Sequence, residues 1–169
     1  ARLNDRYFYE HFSDSDALLE ALAQEFTAQG LDTIVPAALK AGPGVRAQVH
    51  AAAAAAIDFI TADARRAPLL LASHTSDVLQ RARLESTHQV AQVMAAMSRE
   101  LLGNAVPSPE DTELAAFTLV SGTMELVAAW LRGEFPTDRE HLVDVITAML
   151  LAATDLSANL PTTASAEPE

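Results

Sequence analysis

Apolar residues recur along this chain at intervals of three and four, and nowhere in sustained alternation. Leu18, Leu19 and Leu22 open one series, Val49, Ala52, Ala53, Ala56, Phe59 and Ile60 form a second, and Leu79, Val90, Val93, Met94, Met97 and Leu101 a third. Such spacing puts side chains on one face of an α-helix. With alanine abundant and glycine rare, it predicts an all-α protein. The breaks between series carry their own signals. Ser13 or Asp14 can cap a helix from about Ser15, with Asp16 in the first turn where the helix dipole favours an anion. Gly30, as a left-handed stop, and Pro36 beyond it predict where that helix ends. Gly42-Pro43-Gly44 is a firm break before a helix from Val45, and Pro68 is expected to open a short helix through Leu71. Ser76 can cap a long helix to Leu102, terminated by Gly103 and Pro107. Ser108-Pro109-Glu110-Asp111 starts the next, and Thr137-Asp138-Arg139-Glu140 reads as the capping box of a last helix reaching Leu156.

Two of these helices are not one-sided. From Leu114 to Leu131 only Glu125 is charged, and the stretch from Leu142 to Leu156 is apolar on most sides. Burying one stripe of each in a body would leave apolar rows in water. The same two helices of a second copy, brought up about a two-fold axis, would close a four-helix bundle. The expected dimer interface comprises Gly122, Val127, Trp130, Ala148 and Leu151, its small residues permitting close approach.

The first two dozen residues carry different information. Asn4 can cap a short helix that turns Arg6 and Tyr7 outward and Leu3 and Phe8 inward, and a longer helix follows almost at once. A short helix, a tight link and a long helix read as the back half of a helix-turn-helix. The run Ala-Arg-Leu-Asn-Asp-Arg-Tyr-Phe-Tyr-Glu-His-Phe-Ser-Asp-Ser-Asp-Ala-Leu-Leu resembles the signature of the TetR family of transcriptional repressors, most specifically at Tyr9, His11, Phe12, Leu18 and Leu19. Arg2 stands where the family's turn glycine is usual, and Ser15 replaces a common lysine. A later run, Gly122, Trp130 and Gly133 followed by an apolar helix, is also similar to the family.

The resemblance implies that Asn4, Arg6, Tyr7, Tyr9 and His11 serve DNA binding, with Arg6 or Tyr7 toward base edges and Tyr9 and His11 toward phosphates. It implies a palindromic double-stranded partner and an effector cavity in the helical body. Phe59, Met94, Met97, Phe117, Ser121 and Met124 are the residues expected to line that cavity, a mixture of adaptable apolar groups and an orienting hydroxyl. The expected division is 1–24 for the remainder of the DNA-binding head, 25–156 for an antiparallel effector-binding and dimerisation body, and 157–169, rich in Pro, Thr, Ser and Glu, for a disordered tail.

The net charge of −12 opposes this reading, because phosphate binding draws on Lys and Arg. In the first 22 residues Arg2 and Arg6 are outnumbered by Asp5, Glu10, Asp14, Asp16 and Glu20. The resemblance implies a first helix and most of a second ahead of Ala1, segments that are often basic, so the head is expected to be incomplete here. The chain has no cysteine, hence no disulfide or thiolate metal site. No secretory pattern is evident, and the longest apolar run, 145–153, is too short to span a bilayer. A soluble, cytoplasmic protein is expected.

Catalytic signals are sparse. Glu85-x-x-His88 has the spacing of di-iron helical bundles but occurs once, and Glu140, His141 and Asp144 read as a charged first turn. His50 and His74 flank apolar helices and read as partly buried, satisfied histidines. No phosphate loop, nucleophile elbow or His-Glu-x-x-His motif is present. The expectation is a homodimeric, effector-released repressor without cofactor or metal, against the alternatives of a helical-bundle enzyme using Glu85 and His88 or an acidic protein-interaction module.

Overall fold

In a computed structural model, residues 15–72, 77–103 and 108–155 are described, and every regular element among them is helical. We label these α1 (Ser15–Lys40), α2 (Val45–Thr61), α3 (Arg66–Ala72), α4 (Asp77–Leu102), α5 (Pro109–Leu131) and α6 (Arg139–Ala152), the last continuing as a 3₁₀ turn, Ala153–Asp155. Residues 1–14 of the expected 1–24 head, and the expected 157–169 tail, lie outside the described residues.

Several boundaries follow from local chemistry. Gly42 and Gly103, at φ of 94° and 53°, take the left-handed conformation that ends a helix without a Cβ penalty. At the start of α5 the Ser108 hydroxyl accepts from the Asp111 backbone N–H at 3.1 Å, satisfying one of the donors a helix N-terminus leaves open. For α6 the cap is Asp138, which accepts from the His141 N–H at 2.8 Å, one residue later than the expected Thr137. Likewise α3 begins at Arg66, two residues before Pro68.

The main correction concerns α1, which does not stop at Gly30 but runs on to Lys40 with Pro36 inside it. Proline there removes one backbone donor and crowds the carbonyl four residues back. Packing outweighs this loss, since Ala38, in the turn after the proline, is 1% exposed. Gly30 is helical, and its role is contact: a Cβ there would stand 3.4 Å from the Phe59 ring.

Helix α1 packs on α2 and α4, α4 packs on α5, α2 packs on α6, and α3 bridges α2 and α5. The larger core cluster joins Ile57 of α2 to Val127 and Ala128 of α5 and to Leu142, Val143 and Ile146 of α6. Ile57 and Val143, each 1% exposed, contribute about 1.5–3 kcal/mol apiece through the apolar surface they remove from water. A smaller cluster, Ala91, Ala95, Ala116 and Val120, joins α4 to α5. Polar ties lock the arrangement: Trp130 Nε1 donates to the Thr137 carbonyl at 2.9 Å, Arg139 Nε to Asp58 Oδ1 at 2.6 Å, and Arg66 Nη1 to the Phe59 carbonyl at 2.7 Å.

Helix α5 also corrects the expectation about apolar length. Its 23 residues include an 18-residue stretch of mean hydropathy 1.6, long and apolar enough to cross a membrane, of which 28% is buried within the described body. The core helix of a soluble protein satisfies the same criterion.

Candidate ligand cavity

The middle of the helical body is not filled. Helix α2 faces it with Ala52, Ala53 and Ala56, whose short side chains leave volume that larger residues would occupy. Two adjoining hollows result, of about 200 and 240 Å³, sharing walls at Leu31 and Ile34 of α1, Ala52 of α2, Val90 and Met94 of α4, and Leu150 of α6. An apolar cavity of about 150 Å³ suffices for a benzene-sized guest. The pair therefore offers room for a considerably longer molecule.

Each hollow has a polar fringe. In the first, Gln48 is joined by Ser98, Thr112 and Thr154. In the second, Thr27, Ser86, Thr123 and Arg83 are the polar wall residues. The Thr27 and Ser86 hydroxyls are hydrogen-bonded at 2.7 Å, tying α1 to α4 across the wall. Among the described residues Arg83 is the one charged wall residue of the two hollows, and its Nη2 lies 2.6 Å from Glu125 Oε2. A largely apolar interior with a few oriented polar groups, and in the first hollow no charged wall residue among the described ones, selects shape and hydrogen-bonding pattern over net charge.

The residues singled out in the sequence divide. Met94 lines both hollows, Met97 the first, and Phe59 and Met124 the second. Phe117 and Ser121 do not line either. Phe117 packs on the His88 imidazole with ring centroids 4.6 Å apart, and Ser121 borders a separate groove with Gln80, Arg81, Leu84 and Thr87. Of the expected dimer residues, Gly122 and Ala148 are exposed, Trp130 and Leu151 are half-buried, and Val127 is 3% exposed inside the core. Gly122 faces open space, since a Cβ there would meet nothing within 4 Å. Asn4, Arg6, Tyr7, Tyr9 and His11 lie outside the described residues.

Glu85 and His88 are exposed, and among the described residues no group of three or more His, Asp or Glu is placed to hold a metal ion. His50 Nε2 lies 3.5 Å from Asp144 Oδ1 in an exposed pairing between α2 and α6. Sequence reading missed Gln48, Thr27 and Ser86. Ser86 stands in the polar run Glu85-Ser86-Thr87-His88-Gln89 and Thr27 among Glu25 and Gln29, so neither was marked out, while Gln48 sits just ahead of the alanine tract. Compared with protein-family models, curated proteins and solved structures, the chain matches none.

Proposed function

We propose that this protein is a homodimeric, ligand-responsive DNA-binding regulator of the TetR type, cytoplasmic, and released from a palindromic operator when a small apolar effector enters the helical body. The observation that carries the reading is the course of α1. Leu18 and Leu19 of the TetR-like run stand near its beginning, and Leu31 and Ile34 of the same uninterrupted helix form walls of both hollows. A helix shared by a DNA-reading head and a ligand cavity is a direct mechanical link. An occupant that presses on Leu31 and Ile34 shifts the far end of α1, changing the distance between the two recognition helices of a dimer. DNA binding depends on that distance, because half-sites lie about one helical turn apart. Effector and operator then weaken each other by the same factor, typically about 5–150-fold.

The dimer is assigned to the outer faces of α5 and α6. Only 28% of the most apolar stretch of α5 is buried within its own body, and Leu114 and Met149 are 62% and 57% exposed. Selection of bound duplexes from a random pool by the full-length natural protein tests the DNA role. Enrichment of a palindrome with half-sites one turn apart is the expected result, and no enrichment at low salt overturns the reading.

A further inference from the structure

The polar groups of the first hollow specify what its occupant must bring. Gln48 is 8% exposed, and its Nε2 donates to the Gly42 carbonyl at 2.6 Å. Because a carbonyl can only accept, this bond fixes the orientation of the amide and leaves Oε1 as the remaining end. Oε1 is buried and has no hydrogen-bond partner among the described residues. Buried amide oxygens are rarely left in this condition, since the lost hydration is not returned.

The neighbouring hydroxyls cannot supply the missing proton. Ser98 Oγ donates to the Met94 carbonyl at 2.9 Å, Thr112 Oγ1 to the Ser108 carbonyl at 2.9 Å, and Thr154 Oγ1 to the Leu151 carbonyl at 2.7 Å. Each hydroxyl hydrogen is committed to the backbone, the usual habit of Ser and Thr on helices. Beyond these bonds Gln48 keeps the lone pairs of Oε1 and a second Nε2 hydrogen, and Ser98 and Thr154 keep oxygen lone pairs. Among the described residues no Lys, Arg, His, Asp or Glu lines this hollow, and the walls that connect it to the second are aliphatic side chains and the Met94 thioether.

The geometry points to a neutral, elongated, mainly aliphatic ligand carrying a hydroxyl that donates to Gln48 Oε1, with its apolar body extending past Met94 toward Phe59. A carboxylate suits this end poorly, because it would set its oxygens against Gln48 Oε1 and bring a charge to an interior where no cation stands among the described residues. A donor-free hydrocarbon leaves Oε1 unpaired. An alcohol pairs it. This assignment rests on the cavity being a ligand site, as proposed above, and adds the chemical class and the residue that reads it.

Decan-1-ol and its isomer methyl nonyl ether separate the two ideas, since they have the same atoms and nearly the same apolar area but only the alcohol donates. Calorimetric titration of the full-length protein with each is expected to give about tenfold tighter binding of the alcohol, the worth of one net hydrogen bond. In Gln48→Met the preference is expected to fall to about twofold or less with the ether still bound. Equal affinities in the unmodified protein overturn the hydroxyl assignment while leaving the cavity as a ligand site. Preference retained in Gln48→Met overturns the role of Gln48, and failure of both compounds to bind overturns the cavity reading itself. The comparison in the unmodified protein stands even if Gln48→Met does not fold.

Discussion

A Cβ at Gly30 would stand 3.4 Å from Cε1 of Phe59, so α1 crosses α2 with an aromatic ring packed against its backbone. Phe26 lies against the same ring at 5.1 Å between centroids, and the Arg66 guanidinium carbon sits 3.9 Å from the ring centre. A methyl at 3.4 Å is an ordinary contact, and alanine improves helix propensity over glycine by about 1 kcal/mol. Gly30→Ala is therefore expected to raise stability by up to that amount. Gly30→Leu must displace the ring and is expected to cost about 1–3 kcal/mol through overpacking. Urea denaturation of the three proteins checks both signs.

Met94 stands where the two hollows meet, and Ser121 faces a different groove. Met94→Trp fills the junction and is expected to weaken decan-1-ol binding by more than about tenfold, roughly 1.4 kcal/mol. Ser121→Trp is expected to leave that affinity unchanged. Calorimetric titration measures both, with melting curves confirming that each variant folds.

The proposed dimer and the fold are expected to respond separately at two positions of the last helices. Ala148 is exposed on α6, whereas Val127 of α5 is 3% exposed within the main core. Ala148→Asp is expected to leave a folded monomer by light scattering, because the new charge is unpaired only when a second copy covers it. Val127→Asp is expected to unfold the chain, with loss of several kcal/mol from a carboxylate placed among aliphatic groups.

In the turn between α2 and α3, the Arg65 guanidinium and backbone N–H both donate to Asp63, at 2.7–3.2 Å. These bonds hold the Asp63 carboxyl far below its ordinary value of 3.8. A depressed carboxylate contributes stability that is present above its unfolded value and is lost as pH falls through its folded value. The melting-temperature gap between the natural protein and Asp63→Asn is therefore expected to be small but positive at pH 7 and to narrow below pH of about 4.

Helix ends were legible wherever one side chain or one backbone angle decides them, as at Ser108, Gly42 and Gly103. The continuation of α1 through Gly30 and Pro36 was not, because its cause is tertiary: the Phe59 ring against Gly30 and the burial of Ala38. Within the cavity, Phe59, Met94, Met97 and Met124 were legible as adaptable apolar groups at helical spacing. Phe117 shares that character and Ser121 offered a hydroxyl one turn on, but α5 packs the one on His88 and turns the other toward the groove at Gln80 and Leu84. Gln48 left no periodic trace, since its meaning lies in the Gly42 carbonyl six residues earlier and in what its Oε1 lacks.

The central claim is that occupancy of the cavity and binding of DNA oppose each other through α1. Its most direct test is fluorescence anisotropy of the full-length protein on its selected palindromic duplex, titrated with decan-1-ol. Saturating alcohol is expected to weaken the natural protein's DNA affinity by about 5–150-fold, and Met94→Trp to remove this response while still binding the duplex. An unchanged DNA affinity in the natural protein, with the cavity shown to be occupied by calorimetry, would contradict the account.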